Sequence, residues 1–311
     1  MKRGVAFAAV LGLAMLGPGA SVWAETQVGM LTMVRGHVRL LGASGERPAR
    51  MMGLLYDGDQ VQTAADGQAM LVYFVNGRRE QLGPGSQIAA GVEGSRVKEG
   101  PAPVLLAPLD ARLLENLRKG VSTGLANRGG GVLLRDTSKS GVRPQLLGLI
   151  QGKTSRARPT FRWEGPPQAV RYRLVVEALD ATPMWETTVQ GTSVEYPAAA
   201  SPLKPGETYS WQVKDQAAVG SDAAAAGEFT LLTSEEQQSL GQLKDALERL
   251  RAESPEDPAP RIALAAVYRD RELYDEAAEV LQALVEEYPH EPHLLRFLAD
   301  VYEDMGSKPP E

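Results

Sequence analysis

The last quarter of the chain repeats itself. Leu264-Ala265 and Val267-Tyr268 return 34 residues later as Leu298-Ala299 and Val301-Tyr302. Tyr274, Ala277, Leu281, Leu284 and Pro289 are preceded at the same interval by Leu240, Leu243, Leu247, Leu250 and Pro255. That period, with apolar residues three and four apart, means paired helices. Segment 233–311 then holds one full pair, a preceding second helix and a following first helix. Three or more pairs are normally needed to bury a continuous core. Docking on the β-sandwich or self-association is therefore expected to complete this short array.

These positions resemble the tetratricopeptide repeat. Small Ala265 and Ala299 let helices approach, and Tyr268 and Tyr302 fill the gaps between hairpins. The resemblance implies a protein-binding array whose first helices line a concave face. In this register Ile262, Ala266 and Arg269 project from one such helix, and Arg296, Asp300 and Glu303 from the next. His293 lies one turn before Arg296. The expected partner-binding residues are Arg269, His293, Arg296 and Asp300. An arginine there suits a carboxylate, such as a peptide C-terminus, through two parallel hydrogen bonds. The alternative is that both arginines neutralise Asp270 and Asp300 on the surface.

Segment 159–232 alternates strictly. Val170, Tyr172, Leu174 and Val176 share one face of a strand, and Tyr209, Trp211 and Val213 share one face of another. Such alternation marks half-buried antiparallel strands. Trp163, Trp185 and Phe229 lie in further short strands. "LKPGETYSWQV" resembles the fibronectin type III entry into a strand, carried by Leu203, Pro205, Gly206, Tyr209 and Trp211, and "RPTFRWE" resembles its first strand. The resemblance implies an immunoglobulin-sized β-sandwich with the Tyr209 hydroxyl bonded to upstream backbone. The aromatic residues are expected in the core; lining a sugar site is the alternative.

Segment 25–106 reads as short strands with frequent turns, among them Gly58-Asp59, Asp66-Gly67 and the hairpin signal Asn76-Gly77. Val72 and Phe74 share a strand face. The ordered series Leu54, Gly58, Asp59, Thr63, Ala69, Leu71, Phe74, Gly77, Leu82, Pro84 and Ser86, with Val34, Gly36 and Val38 upstream, resembles the FecR-like domain of bacterial envelope proteins. That implies a periplasmic β domain in envelope signalling. In its named members the relay runs through a membrane helix and a cytoplasmic segment, and neither is read here after the leader.

Between the two β segments, 107–158 is expected to be a short helix and a linker. Leu109, Leu113 and Leu117 fall at i, i+4, i+8, with Pro108 near the start and Gly120 marking the end. Beyond it the chain turns basic and rich in glycine and serine. The run Gly129-Gly130-Gly131 is a connector, since no Gly-Lys-Ser/Thr follows. The segment carries 10 basic and 3 acidic side chains, against 8 and 19 in 233–311. Its cations could meet an anionic surface or peptidoglycan.

Residues 1–24 read as a secretory signal peptide. Lys2 and Arg3 precede an apolar run from Val5 to Leu16, and Val22 and Ala24 suit cleavage before Glu25. A bilayer span needs about 20 apolar residues, longer than this run. The mature chain is expected in the periplasm, with no transmembrane segment. The absence of cysteine removes disulfides, thiolate metal sites and a lipidated cysteine.

Catalytic chemistry is not indicated. Only His37, His290 and His293 are present, and no metalloprotease, lipase or lactamase motif occurs. Asp57 and Asp59 belong to a turn. The expectation is a multidomain, non-enzymatic periplasmic adaptor without a cofactor: an N-terminal all-β domain, a sandwich and tetratricopeptide-like hairpins. It would bind envelope proteins and no nucleic acid. The alternative is a cell-wall glycan-binding protein.

Overall fold

A computed structural model describes residues 26–126, 143–165, 169–217 and 224–307, with backbone alone for 119–126. The expected signal peptide, the triple glycine and the cations Arg128, Arg135 and Lys139 lie outside the described residues.

The first unit contains β1 (Gln27–Arg35), β2 (Val38–Gly42), β3 (Gly45–Pro48), β4 (Leu54–Tyr56) and β5 (Gln60–Thr63). It continues with β6 (Gln68–Tyr73), β7 (Arg79–Leu82), β8 (Gln87–Ala90), β9 (Ser95–Glu99) and β10 (Val104–Leu106). They form two antiparallel five-stranded sheets, ordered β10-β7-β6-β1-β4 and β3-β2-β5-β8-β9. Leu31, Leu55, Val61, Leu71, Tyr73, Leu82 and Ile88 fill this unit's core. Turn residues close it from within. Thr63 Oγ1 donates to the Gly83 carbonyl at 2.6 Å and accepts from the Ser86 amide at 2.9 Å. Asp59 is buried, pairs with Arg47 and accepts from the Tyr56 amide at 2.9 Å.

Alternation in β6 sends two sets of residues to opposite faces, and both are buried. Leu71 and Tyr73 enter the unit's own core, whereas Val72 and Phe74 belong to a second apolar cluster with Met30, Met51 and Met52. The face singled out in the sequence is thus the outer one, and it is covered by helices.

The second unit contains β11 (Gln145–Leu146), β12 (Lys153–Thr154), β13 (Thr160–Glu164), β14 (Tyr172–Ala178), β15 (Pro183–Val189), β16 (Ser193–Glu195), β17 (Thr208–Asp215) and β18 (Ala224–Leu231). The sheets run β11-β13-β16 and β12-β18-β17-β14-β15, an immunoglobulin-like sandwich. Trp163, Trp211, Phe161 and Phe229 are fully buried between them, so these aromatic residues are core and cannot stack on a sugar. Val170 departs from its expected place: it precedes β14 and is 70% exposed. The sandwich also begins earlier than its alternation suggested. β11 and β12 come from the expected linker, and β12 pairs in parallel with β18.

Thr233 opens the helical unit with a capping box, its hydroxyl accepting from the Glu236 amide while Glu236 returns a bond to the Thr233 amide. Four helices follow the leucine-rich α1 (Ala111–Ala126) of the first half: α2 (Ser234–Glu253), α3 (Ala259–Asp270), α4 (Tyr274–Glu287) and α5 (Pro292–Met305). They are the expected preceding helix, full pair and following helix. α1 itself starts three residues after Pro108, where Asp110 Oδ1 accepts from the Leu113 amide at 2.9 Å. It continues past Gly120, which is an interior residue and not its end.

The Tyr209 hydroxyl accepts from the Lys204 amide at 2.8 Å, the expected tyrosine corner. Tyr209→Phe leaves that amide without its acceptor, which costs about 1–3 kcal/mol where the group stays desolvated. The denaturation midpoint of the full mature chain should fall accordingly. The full chain is required, because a fragment starting at 158 lacks β11 and β12. An unchanged midpoint would show that the corner is not stabilising.

Candidate partner-binding groove

α3 and α5 are the first helices of their pairs and line the groove of the array. α1 lies against both. Leu109, Leu113, Leu114 and Leu117 of this segment join one apolar cluster with Ile262, Ala266, Phe297 and Val301, and the outer face of β1 and β6 belongs to the same cluster. The leucine spacing explains the placement. Residues four apart stack on one side of a helix, and that side is 0–6% exposed. The groove face of the array is thereby covered from within the chain, by α1 and a β-sheet.

The entry to α1 is pinned by Gly77. Its φ of +67° suits glycine, and a side chain there would run into the Leu109 carbonyl. The Leu109 amide donates to the Gly77 carbonyl at 2.9 Å. The hairpin turn is thus also a seat for the helix.

A buried ion pair ties the same region to the array. Arg79 on β7 donates to Asp257 Oδ2 through Nε at 2.8 Å and Nη2 at 2.6 Å. Both side chains are 1% exposed. Arg79 Nη1 also donates to the Ala107 carbonyl at 3.0 Å. Asp257 Oδ1 accepts from the Thr32 hydroxyl at 3.3 Å and from the Ala259 amide at 2.9 Å, at the start of α3. The Arg79–Asp257 pair therefore joins the first β unit, the approach to α1 and the α2–α3 turn. Neither residue was distinguishable in the sequence from other charged turn residues.

The opposite side of the array meets the sandwich. Asp275 on α4 accepts from the Leu149 amide at 2.8 Å and from Arg162 at 3.2 Å. Its carboxyl is nevertheless held above the usual range, because burial outweighs those two donors. Glu276 accepts from the Thr154 hydroxyl and the Ser155 amide, and Glu279 pairs with Arg156. The Lys153 amide donates to the Glu272 carbonyl at 2.8 Å. Lys153, Arg156 and the strands beside them are interface, so this end of the expected linker is not a free basic tail.

The four residues expected to bind a partner are brought near one another but are engaged internally. Arg269 Nε donates to Asp304 at 2.6 Å, and its guanidinium lies 3.9 Å from Asp300 and over the Phe297 ring. It is only 17% exposed. Arg296 Nε donates to Asp300 at 2.8 Å and remains half-exposed. Asp300 is buried. Both arginines therefore pair with acidic side chains of α5, Asp300 and Asp304. His293 is half-buried, and its imidazole is held below its ordinary value by that burial and by the Arg50 charge. Of the groove positions on α3, Ile262 and Ala266 are buried. Among the described residues, no cluster of three His, Asp or Glu side chains could hold a metal. No described helix is long and apolar enough to cross a membrane.

A family model for the tetratricopeptide repeat matches residues 239–306, the stretch that α2 to α5 occupy. No curated protein matches the chain. Among solved structures, one described as "Biofilm associated protein - BSP domain" aligns with 63% of this chain and 24% of its own, at 10% identity and a TM-score of 0.21. This chain thus corresponds to about a quarter of that one, and a superposition so loose bears on neither fold nor role.

Asp257→Ala would leave the Arg79 charge buried without its partner, which costs about 3–5 kcal/mol. Arg35→Ala, which removes an exposed pair with Glu256 nearby, should cost under about 1 kcal/mol. Urea denaturation of the full mature chain measures both. Equal effects would show that the buried pair is not a principal link.

Proposed function

We propose that this chain is an exported, non-enzymatic adaptor that binds other proteins in the bacterial envelope. The observation that carries this reading is the tetratricopeptide match over 239–306, since such repeats suggest protein–protein interaction. Two β units grip the array from both sides and give it a fixed presentation, which suits an adaptor. Export rests on the leader pattern of residues 1–24, and the envelope setting on the FecR-like series from Leu54 to Ser86. Within the groove, the side of α5 bearing Arg296 and His293 is the part left open to a partner's carboxylate. Arg296 pairs with Asp300 and is half-exposed on that side.

The mature protein should begin at Glu25, as intact-mass measurement of exported material would record; retention of residues 1–24 would refute export by cleavage. Used as bait in cross-linked envelope extract, the mature chain should recover specific proteins. Arg296→Glu should recover them less well at equal salt. Co-sedimentation with purified peptidoglycan, with no protein recovered, would refute the adaptor reading and favour the glycan-binding alternative.

A further inference from the structure

The groove of a tetratricopeptide array is where an incoming segment lies, and here a segment of the same chain already lies in it. The groove positions Ile262 and Ala266 of α3 are 0% and 4% exposed, in the cluster they share with α1 and the outer face of β1 and β6. What this surface accepts can therefore be read from its occupant. Leu109, Leu113 and Leu117 supply a stripe at i, i+4, i+8, and Leu114 widens it. Arg112 and Arg118 are exposed, the latter with its guanidinium over the Phe74 ring, and with Lys119 in sequence they outnumber Glu115. The array beneath is acidic, with 8 basic against 19 acidic side chains over 233–311.

The occupant is a weak helix in its own right. Gly120 and Gly124 fall inside α1, and glycine is the poorest helix former after proline. Val121 and Thr123, both β-branched, lie between them. Asp110 caps the N-terminal end, but the last turn has no basic residue, so the C-terminal end does not complement the helix dipole. A helix of 16 residues with this composition is marginal without packing. Its order depends on the groove, whereas a segment with the same leucine stripe and better helix formers would bring its own.

We propose that the groove of α3 and α5 is a binding site for a basic amphipathic helix of a protein partner, with leucines at i, i+4 and i+8, and that α1 holds the site in the partner's absence. This rests on the adaptor reading for its biological purpose, but its chemistry can be tested apart from it. Binding would exchange one helix for another on the same apolar surface. The partner's affinity is then lowered by the fraction of time α1 is seated.

Two measurements decide it. In hydrogen exchange on the unmodified mature chain, amides of α1 should exchange at least tenfold faster than those of α3 and α4, reporting local release of α1. Exchange of α1 only at the rate of the slowest amides would make it a permanent part of the core and overturn the proposal. The second measurement uses a labelled synthetic peptide of residues 108–126. It should bind the full-length Leu113→Ser, Leu117→Ser variant at least tenfold more tightly than the unmodified chain. A peptide carrying the same two changes should not bind. Equal binding to both proteins, or none to a variant whose helical circular dichroism is retained, would overturn the proposal. If the variant does not fold, the exchange measurement alone decides. Peptide binding without any envelope partner would reject the adaptor reading and leave the groove assignment standing. A locked α1 with partners recovered would do the reverse.

Discussion

A helical array of one full pair and two flanking helices has more apolar surface than it can bury on itself. The other features of this structure answer that constraint. One side of the array is closed by α1 and by the outer face of β1 and β6. The other is closed by α4 resting on residues 149–156 at the edge of the sandwich. Neither β unit is an independent bead on a string. The first unit has a strand buried on both faces, which is unusual for an antiparallel sheet exposed to solvent and normal for one that is covered.

The two closures are chemically different. The groove side is mostly apolar, with one buried ion pair at its rim. A pair such as Arg79 and Asp257 contributes little net stability once desolvation is counted, but it fixes geometry, because each charge is satisfied in one arrangement only. Asp257 uses both oxygens, binding Thr32 on β1, Arg79 on β7 and the amide of Ala259 on α3. The sandwich side is held instead by carboxylates of α4 accepting from backbone amides and arginines. Gly148 illustrates how close this approach is: a side chain there would run into the Asp275 carboxylate.

Much of this was legible in the sequence, and the reasons for the remainder are physical. The 34-residue period placed α2 to α5 because a repeat is a local signal. Alternation placed β14 and β17 for the same reason, and "LKPGETYSWQV" located the tyrosine corner. The leucines of α1 announced a helix in need of a surface, but a single helix cannot say which surface. β11 and β12 fall in a stretch whose sequence reads as linker, because two-residue strands have no alternation to detect. Val72 and Phe74 were seen as apolar, yet a strand covered on both faces gives no clue to which side is the domain's own core. Arg79 and Asp257 are 178 residues apart, and nothing local distinguishes a buried charge from a solvated one. For the groove residues, spacing put Arg269, Arg296 and Asp300 together. It could not show that α1 would share the face with them.

The separation of Arg79 from Asp257 also bears on how the protein is made. Contacts between distant parts of a chain form late, since the intervening loop must be closed first. A chain synthesised or exported from its N-terminus presents the first β unit well before α3 and α5 exist. During that interval Met30, Val72, Phe74 and the leucines of α1 have no helices over them, and the Arg79 guanidinium has no carboxylate. The first half would then be a sticky intermediate, open to holding chaperones and to proteases. Its lifetime is set by how quickly the last 80 or so residues arrive, so a truncated product should be cleared, not accumulated.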